Sequence, residues 1–88
     1  IVGERTQTDF KRLGDKTVEE TFKIVLRNRK ESAVEVRVVE HLYRWSQWEI
    51  VQASDKGYTK ADAQTIEWRV PVEANGSAEI TYTVRYSM

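Results

Sequence analysis

The chain contains no cysteine. That excludes a disulfide scaffold, a thiolate metal site and a cysteine nucleophile. It contains one histidine, which excludes any site built from several histidines. Proline occurs once and glycine four times, and neither an internal repeat nor a low-complexity linker interrupts the sequence. No apolar run approaches the roughly 18 residues of a helical membrane span. Charge of one sign is also lacking. Fourteen basic residues balance fourteen acidic ones, so nothing points to a nucleic-acid or membrane footprint. No initiator Met and no signal-peptide pattern stand at the start, and the last residues, Tyr86-Ser87-Met88, follow directly on a strongly patterned stretch. The expectation drawn from these ends is a fragment from near the C-terminus of a longer protein.

What is present is ordinary globular material, 40% hydrophobic and 32% charged over 88 residues. A chain of this size makes a single domain that buries roughly 64% of its unfolded surface, leaving little room for a deep cavity. The strongest local pattern closes the sequence. Ala78, Ile80, Tyr82, Val84 and Tyr86 alternate with Glu79, Thr81, Thr83 and Arg85, the two-residue period of a half-buried strand. Ile66, Trp68, Val70 and Val72 alternate in the same way just before it. Glu73-Ala74-Asn75-Gly76 lies between them, and Asn-Gly suits the positive φ of a tight turn, so the two runs read as an antiparallel hairpin. Asn75-Gly76-Ser77 also matches a glycosylation acceptor by letter, but the turn accounts for all three residues. Pro71 cannot donate to a ladder and implies an edge position or a bulge.

Residues 33–44 carry Val34, Val36, Val38, Val39, Leu42 and Tyr43, a strand with a phase shift expected at Val38-Val39. Residues 46–52 read as another strand, and a turn at Asp55-Lys56-Gly57 precedes a short edge strand around Tyr58. Residues 17–29 fit two patterns. Val18, Phe22, Ile24 and Leu26 favour a strand, whereas Val18, Phe22, Val25 and Leu26 also fit a helical stripe. Thr17-Val18-Glu19-Glu20 matches a helix capping box as well. The strand is preferred because alternation and the all-β context outweigh a weak local motif. Residues 5–13 alternate weakly and make a first, partly polar strand. Six or seven short strands with turn signals between them imply one all-β domain over residues 1–88. The expected architecture is an immunoglobulin-like antiparallel β-sandwich of about seven strands. Its expected core is Phe22, Ile24, Leu26, Val36, Val38, Ile50, Ile66, Trp68, Val70, Ile80, Tyr82 and Val84.

Certain stretches carry a resemblance. Ile24-Val-Leu-Arg-Asn-Arg-Lys30, Val34-Glu-Val-Arg-Val-Val-Glu-His-Leu42, Trp45-Ser-Gln-Trp48-Glu-Ile50 and Ile80-Thr-Tyr-Thr-Val-Arg-Tyr86 resemble the C-terminal part of a family of bacterial conserved hypothetical proteins. These carry a domain of unknown function, and some are described as mucoidy-inhibitor-like. Gly3-Glu-Arg-Thr-Gln-Thr-Asp-Phe10 fits the same pattern. The resemblance implies an immunoglobulin-like sandwich in an exported protein of the cell envelope or periplasm. It implies no catalytic residues.

Two groups of side chains are candidates for binding. Tyr43, Trp45 and Tyr58 would form an aromatic platform for a glycan or a partner's apolar side chains. Against this stands the ordinary use of aromatics, with Trp48 and Trp68 in the core and Trp45 capping one end. Arg27, Arg29 and Arg37, with Lys30 and Arg44 nearby in sequence, would form a patch for an anionic ligand or acidic partner. The alternative is a solvated sheet face whose cations pair with Glu31 and Glu35. His41 with Glu40, Glu49 and Asp62 makes a weak metal or acid–base constellation. No Gly-x-Ser-x-Gly elbow accompanies the serines. The expectation is therefore a non-catalytic structural or protein-interaction module without cofactor or metal. Its partner would be another protein or the rest of the parent chain, with no nucleic acid and no membrane insertion. The alternatives are a carbohydrate-binding module and an accessory domain of an upstream enzyme.

Overall fold

A computed structural model describes residues 2–42, 47–55 and 57–87. Seven strands follow one another: β1 (Val2–Gly14), β2 (Thr17–Arg27), β3 (Val34–His41), β4 (Gln47–Ala53), β5 (Thr59–Asp62), β6 (Thr65–Val72) and β7 (Ser77–Ser87). They form two antiparallel sheets packed as a sandwich, one in the order β1-β2-β7-β4 and the other β3-β6-β5. The all-β sandwich expected from periodicity is thus the observed fold. Compared with the constant-type immunoglobulin order, in which strand 5 lies beside strand 2 and strand 7 beside strand 6, strands 5 and 7 have exchanged sheets. The molecule measures 49 × 24 × 17 Å. The 13 residues of β1, at roughly 3.4 Å each, span about 44 Å, close to the longest of these dimensions.

The β2–β7 ladder is the spine. It runs from Thr17↔Ser87 to Arg27↔Ser77 without a register shift. Val18, Phe22, Ile24 and Leu26 therefore lie level with Tyr86, Tyr82, Ile80 and Ala78 on one face. This pairing decides the strand–helix ambiguity of residues 17–29, because tertiary partners outweigh the capping-box motif. Every expected core residue lies in or against the core, Val36 and Ile50 being half-buried, and Val18, Leu42, Val72 and Tyr86 join them. Trp68 is almost wholly enclosed, its ring 5.2 Å from Tyr82 and 5.8 Å from Tyr58. Its indole N–H donates to the Asp55 carbonyl at 2.8 Å.

Two local expectations are corrected. The runs 66–72 and 78–86 do not form a hairpin. They belong to different sheets, and residues 73–76 arch across the sandwich. Asn75 does take the positive φ expected of it, at 54°. A hairpin and an arch both join two alternating strands through a tight turn, so periodicity cannot separate them. The phase shift at Val38-Val39 is also absent. The β3–β6 ladder runs in register from Val34↔Val72 to His41↔Thr65, so Val34, Val36, Val38 and Glu40 share the inner face. A glutamate thereby enters the core. Pro71 sits opposite Glu35 on β6, in the stretch that β5 does not reach, and behaves as an edge residue there.

The end of the sandwich that holds the arch is tied down by Asn28, the central residue of the Leu-Arg-Asn-Arg-Lys stretch. Its side-chain amide donates to the carbonyls of Ser32 (2.9 Å), Glu73 (3.1 Å) and Val72 (3.4 Å), and its oxygen accepts from Lys30 N (2.9 Å). Its backbone N–H reaches the Gly76 carbonyl at 2.9 Å. One buried amide thus joins the β2–β3 crossover to the β6–β7 arch.

Candidate functional site

The expected binding residues do not converge. Arg27 ends β2 and donates to Glu4 at 3.3 Å on the outer face of the four-stranded sheet. Arg29 is exposed in the crossover after β2. Arg37 lies on the outer face of the other sheet and donates to Glu67 at 2.7 Å. Beside it Arg69 pairs with Glu35 at 3.4 Å and Glu67 at 3.9 Å. Arg27 and Arg37 therefore lie on opposite outer faces, each in a cross-strand ion pair, and the three candidate arginines do not gather into an anion site. Tyr58 is half-buried with its ring edge-on to Trp68. Tyr43, Arg44, Trp45 and Lys56 lie outside the described residues. Trp48 sits half-buried at the rim between β4 and β5, donating to the Ala63 carbonyl at 2.9 Å under the Lys60 ammonium.

His41 and Asp62 do come together. Thr65 Oγ1 is 3.3 Å from His41 Nδ1, and Thr65 with the Gln64 N–H holds the Asp62 carboxyl below its usual range, the Gln64 bond being the larger cause. Among the described residues no group of three or more His, Asp or Glu is placed to hold a metal.

The polar cluster that the structure does build was invisible to sequence periodicity. Glu40 points inward, and one carboxylate oxygen accepts both the Tyr82 hydroxyl at 2.7 Å and Arg5 Nε at 2.6 Å. The Glu40 side chain is 8% exposed and that of Arg5 46%. The guanidinium also lies 3.9 Å over the Phe22 ring, which adds a cation–π contact. Burial, reinforced by the bond to Glu40 and its charge, pushes the Tyr82 phenol far above its ordinary value. Burial works against the charge on Arg5, and the bond and charge of Glu40 more than offset it, so Arg5 rises too. Next to this cluster Gln7 donates to the buried Glu20 at 3.3 Å. The group closes the side of the sandwich where β1 overhangs β3. Every buried side-chain nitrogen or oxygen among the described residues has a partner. These polar groups are thus committed to holding strands together.

Two surface features remain. A shallow groove of about 620 Å³ crosses the outer face of the four-stranded sheet. Thr21 and Thr83 bridge its floor at 2.9 Å, and Arg85 spans it to Glu19 and Glu49 at 2.7 and 3.4 Å. The second feature is β1 itself. It pairs with β2 on one side only, and all 13 of its residues are exposed. Two register shifts, between Gln7 and Asp9 and between Arg12 and Gly14, interrupt its ladder.

Comparison with known proteins finds no matching family model, curated protein or solved structure. These comparisons assign the chain to no family and give no residue a role.

Proposed function

We propose that this domain is a non-catalytic interaction module that engages a protein strand along the open edge of β1. The observation that carries this reading is the 13-residue edge strand, long enough for a full ladder and exposed along its whole length. An edge strand presents a row of main-chain donors and acceptors, and adding a strand satisfies them at one stroke. The other edge strands are shorter, at eight residues for β3, seven for β4 and four for β5. The ion pairs on the outer faces support the same reading, since their charges are already matched within the chain. The setting that accompanies it, the bacterial cell envelope, rests on the family resemblance alone.

The test is selection from a displayed random-peptide library on the folded domain. Selected peptides are expected to slow amide hydrogen exchange in β1 and not in β3 or β4. Thr6→Pro and Gln7→Pro form a paired control. Adjacent strand residues send their N–H groups to opposite sides, so one substitution breaks the β1–β2 ladder and the other leaves it intact and removes an outward donor, Gln7→Pro losing the side-chain bond to Glu20 as well. The variant that keeps its melting temperature is expected to lose peptide binding. Peptides that bind without protecting β1, or protection of Trp48 fluorescence by cell-wall glycans in place of peptide binding, would refute the reading.

A further inference from the structure

We infer that the strand added to β1 is the β1 of a second copy of this chain, in one antiparallel register. The inference rests on the reading of β1 as a strand-adding edge and supplies its partner. The β1–β2 register assigns each residue of β1 to a face. Gly3, Arg5, Gln7, Phe10 and Arg12 lie level with the buried Leu26, Ile24, Phe22, Glu20 and Val18, on the core side. Val2, Glu4, Thr6, Asp9 and Lys11 lie on the outer side. The shift at Thr8 causes this change of parity, from odd-numbered inward residues before it to even-numbered ones after it.

Two copies related by a two-fold axis perpendicular to the sheet must pair residues that share a face. Because of the shift, the pairs from Gly3–Arg12 to Thr6–Asp9 meet that condition when the axis falls between Gln7 and Thr8. Glu4, already 3.3 Å from Arg27, then faces Lys11 of the second copy, which lies 3.7 Å from the Asp9 of its own chain, on the outer side, and Thr6 faces Asp9. On the core side Arg5 faces Phe10 and Gly3 faces Arg12. Val2 and Leu13, 42% and 52% exposed, meet at each end. One opposite-charge pair and one apolar pair, each formed twice by the symmetry, thus stabilise the seam. The neighbouring registers that also preserve the faces are penalised. A slip one way sets Glu4 against Asp9, and a slip the other way sets Arg5 against Arg12. The bulge and the charges, which ordinarily guard an edge, here select one self-pairing. The product is a continuous eight-stranded sheet with both three-stranded sheets on the same side. A seam of two strands is small, so the dimer is expected to be weak and concentration-dependent.

The experiment is sedimentation velocity of the folded domain from micromolar to millimolar concentration, with hydrogen exchange at both extremes. Wild-type protein is expected to dimerise as concentration rises, with slowed exchange confined to β1. Lys11→Glu and Glu4→Lys each place like charges opposite one another twice per dimer and are expected to weaken association by about tenfold or more. The double variant Glu4→Lys/Lys11→Glu restores opposite charges and is expected to recover it. Melting curves establish that each variant is folded. A monomer at all concentrations overturns the inference, as does a dimer that protects β3 or β4, or charge variants that are additive without recovery. If self-association fails while library peptides still protect β1, only the choice of partner is wrong. If both fail, the interaction reading falls as well.

Discussion

Glu40 and Tyr82 form a coupled pair whose energetics follow from burial. Glu40→Met keeps the side-chain length and removes the acceptor. Tyr82, fully enclosed, then has no acceptor for its hydroxyl proton, which costs about 1–3 kcal/mol. The lost pairing with Arg5 adds less than about 1 kcal/mol, because nearly half of that side chain is in water. Tyr82→Phe removes a buried hydrogen bond to a charged acceptor and costs about 1.5–3 kcal/mol. In the double variant neither orphan exists and the carboxylate no longer needs burial, so stability is expected within about 1 kcal/mol of wild type. The two single losses do not add, and the coupling energy is about 3 kcal/mol. At this size each kcal/mol moves the melting temperature by roughly 4–8 °C, so each single variant melts well below wild type. Denaturant and thermal melts of the four proteins measure the cycle. A double variant that loses the sum of the singles would refute the coupling and the inward placement of Glu40. Alkaline titration gives a second readout. The folded phenol titrates above its unfolded value, so its contribution is complete below about pH 10 and is lost as pH rises beyond that. Tyr82→Phe is expected to flatten that alkaline decline, and tyrosinate absorbance for Tyr82 should appear only with unfolding.

Trp68→Ala empties the centre of the core and strands the Asp55 carbonyl, so a loss of about 3–5 kcal/mol is expected in urea melts. A loss below about 1 kcal/mol would displace Trp68 from the core. Asn28→Ala removes several buried bonds at about 1 kcal/mol each and should cost about 2–3 kcal/mol. Asn28→Asp is expected to cost more, because a carboxylate oxygen would then face the carbonyls of Ser32 and Glu73; equal losses in thermal melts would contradict the assigned amide orientation.

Periodicity carried far along this chain because both sheets bury one face and leave the other in water. Under that condition each inward residue is marked by its apolar side chain, and Phe22, Ile24, Leu26, Ile80, Tyr82 and Val84 are legible one by one. Trp68 was legible for the same reason, flanked at two-residue spacing by Ile66 and Val70. The arginines were legible only as charges. Arg27 and Arg37 occur ten residues apart, but a crossover between sheets sends them to opposite surfaces, and linear proximity carries no information across such a connection.

The failures share a cause. Nothing in the local pattern placed Glu40 inward, because a lone carboxylate is costly to bury. The cost is met by Tyr82 and Arg5, 42 and 35 positions away, and no local pattern reports partners at that distance. The same holds for Asn28, whose amide is satisfied by carbonyls across the sandwich. The sequence by itself determined that the chain is all-β, where most of its apolar side chains face and where the turns fall, since these depend on alternation within a few residues. Which sheet each strand joins, that 73–76 is an arch, and that β1 is left as an open edge were decided only by tertiary structure. They depend on which strands meet across the sandwich, and long-range pairing is chosen by the summed fit of whole faces.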